Sequence, residues 1–77
     1  MSQRPVMTDG MVIYAFRYAL GRASYAVGEC VDYLILNWKY LEPSTREVIR
    51  RDIMEAFAED RYGMEMDRRQ WERVLDL

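Results

Sequence analysis

The sequence predicts an all-α fold class, a compact single-domain bundle of about four helices. Apolar residues recur at spacings of three and four along most of the chain, and no segment of useful length alternates apolar with polar residues. Glycine, proline and capping residues interrupt this pattern at short intervals. We expect helices at about residues 9–20, 24–41, 44–61 and 67–75, and their short connections favour antiparallel neighbours.

The first residues of the chain, 1–7, show no periodicity and contain Pro5. We expect them to form a flexible segment, so that a single helical domain covers residues 8–77. A helical domain of 77 residues without a disulfide or a metal has a small margin of stability. Self-association or a partner surface is therefore an open expectation.

The first helix should begin at Thr8 or Asp9, because either side chain can accept a hydrogen bond from an unpaired backbone amide. Residues 11–20 are apolar except for Arg17, a pattern that predicts a helix buried on most of its sides. Gly21 supplies the left-handed residue that ends the helix.

The second helix should begin at the cap Ser24 and end before Pro43. Its core-facing positions recur at spacings of four, three, four and three: Val27, Val31, Leu34, Trp38 and Leu41. Cys30 flanks this stripe and is expected to be a small, reduced core residue. A second, weaker apolar line runs along the side of the helix through Tyr33, Leu36 and Tyr40.

The third and fourth helices each follow the spacing of a capping box. Ser44 with Glu47 opens the third helix, and Asp67 with Gln70 opens the fourth. Gly63 is expected to close the third helix. The buried positions would be Ile49, Ile53, Ala56 and Phe57 on the third helix, and Trp71, Val74 and Leu75 on the fourth.

The composition argues against several classes of function. The chain has no histidine and one cysteine, so imidazole bases, imidazole metal ligands and CxxC sites are excluded. We expect no enzyme activity, no metal and no cofactor. The net charge of −2 disfavours nonspecific binding to nucleic acid or to an anionic membrane. No apolar run approaches a membrane span and no secretory signal is recognisable, which predicts a cytoplasmic protein.

Two groups of residues are candidates for a partner-binding surface. The aromatic group combines tyrosines at helical spacing with a nearby arginine, the residue types that dominate binding hot spots: Tyr14, Tyr18, Arg22, Tyr33 and Tyr40. The acidic group lies on the third helix, where negative charge could imitate a phosphate backbone toward a nucleic-acid-binding protein: Glu47, Glu55, Glu59 and Asp60. Core packing of the tyrosines and a solvated face for the acids explain the same residues.

The central segment also carries a resemblance. The stretch Ala15-Phe16-Arg17-Tyr18-Ala19-Leu20-Gly21-Arg22 is followed by Ser24-Tyr25-Ala26-Val27, by Val31-Asp32-Tyr33-Leu34-Ile35 and by Asn37-Trp38. This pattern resembles small helical proteins encoded by phages and prophages, over roughly residues 11–75. The resemblance implies a role in phage and host conflict, like that of anti-CRISPR inhibitors that occupy a surface of a host nuclease complex. Such inhibitors share no common motif, so the resemblance assigns no site residue.

The leading hypothesis is a phage- or prophage-derived protein that binds another protein stoichiometrically and inhibits a CRISPR-type nuclease complex in the bacterial cytoplasm. A homodimer is a further expected partner state. One alternative is a small dimeric transcriptional regulator that reads DNA with Arg46, Arg50 and Arg51 at the start of the third helix. Acidic residues on the same helix count against it. The second alternative is a structural or assembly protein of a virion.

Overall fold

The computed structural model describes residues 7–21 and 25–77, with Tyr25 described by its backbone alone. These residues form four α-helices: α1 (Asp9–Ala19), α2 (Tyr25–Asn37), α3 (Pro43–Ala58) and α4 (Arg68–Leu75). A short 3₁₀ helix, Trp38–Tyr40, follows α2. The described part of the chain contains no strand, and the predicted all-α fold is confirmed. Of the expected flexible segment only Met7 is described, and it packs against the core.

Helix α1 begins at the cap Thr8, whose hydroxyl accepts a hydrogen bond from the Met11 amide at 3.2 Å. It ends at Ala19, and Gly21 has a φ of +84°, the left-handed conformation expected for it. The prediction that α1 is buried on most of its sides is wrong. The helix packs mainly on α2 and α3, and its Phe16 also meets Trp71 of α4, so the side that carries Met11, Tyr14 and Tyr18 faces solvent.

Helix α2 ends at Asn37, four residues before the predicted end, while its predicted cap Ser24 lies outside the described residues. The Asn37 side-chain amide donates to the Tyr33 carbonyl at 3.0 Å, which competes with the helical backbone bonding. Trp38 and Leu41 are nevertheless buried as predicted. A 3₁₀ helix has three residues per turn, so residues three apart still face the same side.

Helix α3 begins at Pro43, so the predicted capping box of Ser44 and Glu47 is wrong. Proline is favoured at this first position because its missing N–H needs no partner there. The cap comes instead from the first helix. One carboxylate oxygen of Asp9 accepts from the Glu42 amide at 3.0 Å and from the Thr45 hydroxyl at 2.7 Å.

The end of α3 also differs from the prediction. The helix stops at Ala58, and the residue that closes it is Asp60, with a left-handed φ of +53°, rather than the expected Gly63. The Arg61 amide then donates to the Ala56 carbonyl at 3.1 Å and closes a Schellman-type end. Gly63 is left-handed as well, with a φ of +85°, but it lies in the connection that leads to α4.

The predicted capping box of α4 does not form, although Asp67 does occupy the N-cap position. The Asp67 carboxylate makes no capping hydrogen bond, and its Oδ2 atom is buried without a partner among the described residues. Burial raises the pKa of Asp67 above its usual value. The first turn of α4 is held by backbone bonds, from the Gln70 and Trp71 amides to the Asp67 carbonyl.

The main packing contacts join α1 to α2 and α3, and join α4 to the same two helices. The four therefore surround one core. At its centre the Phe16 and Trp71 rings meet edge to face, with their centroids 5.7 Å apart. The predicted core residues of α2, α3 and α4 are buried, except that Phe57 and Leu75 are half-buried at its edge.

Gly10 lies in the first turn of α1, and Gly21 lies just after its end in a left-handed conformation. Alanine at these two positions should change the free energy of unfolding in opposite directions. Gly10→Ala is expected to stabilise by about 0.5–1 kcal/mol, because alanine favours a helix and the added carbon meets nothing nearer than the Thr8 hydroxyl at 4.0 Å. Gly21→Ala is expected to destabilise by about 1–2 kcal/mol through its positive φ. Urea denaturation followed by circular dichroism measures both, and equal shifts of one sign would contradict these helix boundaries.

Candidate functional site

The solvent-facing side of α1 carries large apolar side chains at helical spacing. Met11, Tyr14 and Tyr18, which we call the α1 stripe, are 51%, 77% and 59% exposed. The opposite side of the same helix places Val12, Phe16 and Ala19 in the core. One face of this largely apolar helix is therefore buried in the core, and the other is exposed to solvent.

An arginine lies beside the stripe and is fixed in place. The Arg17 Nε atom donates to Asp52 on α3 at 2.8 Å, and the Asp52 side chain is largely buried. Arg17 borders a shallow surface depression of about 420 Å³ together with four other residues of α1: Gly10, Ile13, Tyr14 and Tyr18. The stripe thus sits on a helix held to α3 at both ends, by Asp9 and by Arg17.

A deeper groove of about 320 Å³ runs between α1 and α2. We call it the α1/α2 groove, and Tyr18 borders both it and the depression on α1. Its lining is apolar apart from one carboxylate, one thiol and two phenols: Met7, Val12, Ala15, Tyr18, Ala19, Ala26, Glu29, Cys30, Tyr33 and Leu34. Its volume lies at the lower end of the range for small-molecule pockets, which is about 300–1,000 Å³.

The polar groups of the groove are one thiol, one carboxylate and two phenol hydroxyls. Burial raises the pKa of the Cys30 thiol to about 11, so the thiol is protonated and unreactive at neutral pH. The Tyr33 hydroxyl is buried and has no hydrogen-bond partner within the described residues. Glu29 is exposed and forms no ion pair with another described residue. In the described ranges no cluster of three or more carboxylates or thiols is arranged to hold a metal ion.

The raised pKa of Cys30 makes a direct prediction about its alkylation by iodoacetamide. The rate should still be rising between about pH 8 and about pH 10, because the thiolate is the reactive form and its population grows until the pH reaches about 11. An ordinary thiol, with a pKa of about 8.5, approaches its plateau over that range. Mass spectrometry of the alkylated protein, with N-acetylcysteine as the reference, measures both rates. A plateau near that of the reference would show that the groove does not desolvate Cys30.

The structure brings together part of the aromatic group. Tyr14 and Tyr18 lie on one exposed face, and Tyr33 lines the α1/α2 groove that Tyr18 borders. Tyr40 lies on the 3₁₀ helix beyond the end of α2 and lines neither the groove nor the depression, and the Lys39 ammonium lies over its ring at 5.3 Å. Arg22 is outside the described residues.

The acidic group is exposed but is not a uniformly negative surface. Glu47 lies 3.9 Å from Arg50, and Glu59 accepts from Arg61 at 2.7 Å. Glu55 borders a shallow depression whose lining mixes acidic, basic and apolar side chains: Glu47, Arg50, Arg51, Met54, Glu55 and Ala58. Asp60 sits in the left-handed turn after α3. Alternating charge of this kind is a poor imitation of a phosphate backbone.

Sequence reasoning missed several residues of the site. Met11 is absent from the predicted contact surface, although it precedes Tyr14 by three residues and completes the stripe. Ala15, Ala19 and Ala26 gave no signal, because alanine is compatible with any face of a helix. They matter here because their small side chains leave the space between α1 and α2 open.

Comparison of the chain with protein-family models, with curated proteins and with solved structures finds no significant match. No helix within the described residues has the length and apolarity needed to cross a bilayer.

Proposed function

We propose that this protein acts by stoichiometric binding to another protein, with the α1 stripe at the centre of the contact. The observation that carries the proposal is the exposure of Met11, Tyr14 and Tyr18 on one face of a helix whose other face is in the core. Contiguous exposed apolar side chains mark interaction surfaces in soluble proteins. Tyrosine is among the residues that contribute most to binding, because a rigid ring buries about 150–250 Å².

The rigidity of α1 supports the same use. Asp9 and Arg17 tie the two ends of the helix to α3, and Phe16 fixes its middle in the core. A contact surface that is already ordered before binding loses little conformational entropy on association. The stripe therefore has both the composition and the preorganisation of a binding site.

Within this class we propose a phage- or prophage-derived inhibitor that occupies a surface of a CRISPR-type nuclease complex in the bacterial cytoplasm. The resemblance of the central segment to phage-encoded proteins supports this target. The net charge of −2 and the sequence pI of about 5.0 also favour a basic partner, as nucleic-acid-binding proteins commonly are. The inhibitor acts by occupying a surface of the complex and catalyses no reaction.

The α1 stripe is tested by Tyr14→Ala. The variant should bind the partner about tenfold more weakly, because it removes a central exposed ring without touching the core. The partner is captured from a bacterial lysate with the wild-type chain as bait and identified by mass spectrometry. Its dissociation constants for wild type and variant are then measured by calorimetry.

The matched control is Tyr62→Ala. Tyr62 is the same residue type and is 76% exposed, but it lies in the connection between α3 and α4. We expect this variant to bind like the wild type. If both variants bind with equal affinity, the α1 stripe is not the contact surface.

The DNA-binding alternative is less well supported by the geometry. It needs the arginines of α3 to be available for phosphates and bases. The Arg50 guanidinium instead lies over the Trp38 ring at 5.3 Å and donates to the Leu77 carbonyl at 3.4 Å, and the Nε atom of Arg46 is buried. A gel shift at low salt decides the matter, since duplex binding with a steep salt dependence would favour the regulator.

Self-association is the competing use of the α1 stripe. Light scattering of the purified chain distinguishes three outcomes. A monomer leaves the stripe accessible to a foreign partner, whereas a dimer that Tyr14→Ala dissociates assigns the stripe to a second copy. Large symmetric oligomers would favour the virion protein.

A further inference from the structure

The α1/α2 groove has features that the exposed stripe does not explain. We propose that it binds a basic side chain of the partner protein, preferably an arginine, which enters beside Tyr18 when the partner covers the stripe. The inference rests on the proposed function for the identity of the occupant as a protein. It adds the chemistry of the residue that the partner must contribute.

The shape of the groove suits a long, thin side chain. Ala15 and Ala19 form its wall on α1, and Ala26 and Cys30 form its wall on α2, so small side chains line both sides. Val12 and Leu34, both buried, lie at its base. An arginine or lysine carries an aliphatic stem that is stabilised along apolar surface of this kind while its charged head remains at a polar edge.

The polar groups of the groove are acceptors placed one helical turn apart. Glu29 and Tyr33 are four residues apart on α2 and therefore lie on the same face of the helix. The Glu29 carboxylate has no ion pair among the described residues, and the Tyr33 hydroxyl is buried with no partner there. A guanidinium donates several hydrogen bonds in a fixed plane, so it can pair with the exposed Glu29 carboxylate and, when the groove opens to admit it, with the buried Tyr33 oxygen as well.

Charge and hydrogen bonding argue against the other occupants. A carboxylate in the groove would lie beside Glu29, and the described lining holds no cation to offset the repulsion. A purely apolar side chain would give no new partner to the Glu29 carboxylate or to the Tyr33 hydroxyl, so it gains nothing from the polar edge of the groove. The Tyr33 ring adds a further preference for a cation, since guanidinium groups stack on aromatic faces.

The first test uses small probes and needs no partner. Hexylguanidinium, hexan-1-ol and hexanoate share one apolar chain and differ in the head group, and each is titrated into the folded protein with amide shifts at Ala26, Cys30 and Tyr33 as the readout. We expect hexylguanidinium to bind at least about fivefold more tightly than hexan-1-ol, and hexanoate more weakly than either. Equal binding of the three probes, or no saturable shift with hexylguanidinium, would overturn the proposal.

The second test changes the head-group contacts. Glu29→Gln should weaken hexylguanidinium binding about fivefold, and Tyr33→Phe about threefold. Asp32→Asn is the matched control, because it removes one negative charge from the same helix at a residue that pairs with Arg73 at 3.3 Å. It should leave the affinity within about twofold of wild type. If Glu29→Gln and Asp32→Asn weaken binding equally, the effect is general electrostatics and the assignment of Glu29 is wrong.

The experiments distinguish a wrong assignment of the α1 stripe from a wrong assignment of the α1/α2 groove. Tyr14→Ala changes the stripe but not the groove lining, so it should leave hexylguanidinium binding unchanged. If the probe does not bind while Tyr14→Ala still weakens partner binding, only the groove assignment is lost. If the probe binds as expected while Tyr14→Ala leaves partner binding unchanged, only the stripe assignment is lost. With both in place, Glu29→Gln should also weaken binding of the captured partner.

Discussion

Trp71→Ala is expected to lower the free energy of unfolding by about 3–5 kcal/mol, which is the usual cost of replacing a fully buried tryptophan. Trp71 is the largest fully buried side chain and contacts Phe16 edge to face. A domain of 77 residues has a total stability of only about 4–12 kcal/mol. The loss is therefore a large fraction of the total stability.

The effect should be strongest in α4. This helix has eight residues, too few to be stable in isolation, and Trp71 and Val74 are its buried anchors. Without the ring, α4 loses its main contact with the core, and the side of α2 that it covers becomes exposed. Hydrogen exchange should show α4 amides losing protection first.

Trp71→Phe is the control for this prediction. It keeps an aromatic ring next to Phe16 and removes the indole N–H, which is buried without a hydrogen-bond partner in the described structure. The cost should be smaller, about 1–2 kcal/mol, because removing an unpaired polar group offsets part of the lost volume. Urea denaturation monitored at 222 nm measures both variants. A cost below about 1 kcal/mol for Trp71→Ala would contradict the central position of Trp71.

The core of this fold was predictable because its pattern is local and repeated. Val27, Val31 and Leu34 follow the helical period, and burial of one face is the only way to satisfy that pattern. The helix ends were less predictable. Ser44 and Glu47 have the spacing of a capping box, but Pro43 begins the helix one residue earlier and a carboxylate 33 residues away caps it. A cap supplied from a distant helix leaves no trace in the local sequence.

The candidate site was predictable to a similar extent. Tyr14 and Tyr18 are four residues apart, so their common face follows from the sequence alone. The sequence could not show which side of the largely apolar α1 faces solvent, since that depends on where α2 and α3 pack. It also could not show that Tyr40 leaves the line of α2, because the regular helix stops at Asn37, where the side-chain amide bonds back to the Tyr33 carbonyl.

Helix α1 combines three roles in adjacent residues. Val12 and Phe16 contribute to the core, Tyr14 faces solvent between them, and Asp9 and Arg17 join the helix to α3. These bonds fix the rotation of α1 about its own axis. That rotation determines which side chains form the α1 stripe, so the packing of the fold and the identity of the contact surface are set together.

Asp9→Ala is the second large effect, with an expected loss of about 2 kcal/mol in the free energy of unfolding. The variant removes the acceptor of two hydrogen bonds, from the Glu42 amide and the Thr45 hydroxyl, and a negative charge from the N-terminus of α3. Bonds to a charged acceptor contribute about 1.5–3 kcal/mol each when buried, and the partial exposure of Asp9 lowers that figure. The Thr45 hydroxyl, largely buried, is left without this partner. Asp60→Asn is the control, because it removes one carboxylate at an exposed residue where asparagine tolerates the positive φ.

The contribution of Asp9 should depend on pH in a defined direction. The backbone hydrogen bond from Glu42, followed by the Thr45 hydroxyl, lowers the pKa of Asp9 in the folded state. Because the folded pKa lies below the unfolded value of about 3.9, the stabilisation is complete above that value and disappears as the pH falls through the folded pKa. The difference in stability between wild type and Asp9→Ala should therefore be constant near neutral pH and shrink on acidification below about pH 4. A difference that stays constant down to about pH 2 would show that the charge of Asp9 contributes nothing to the cap of α3.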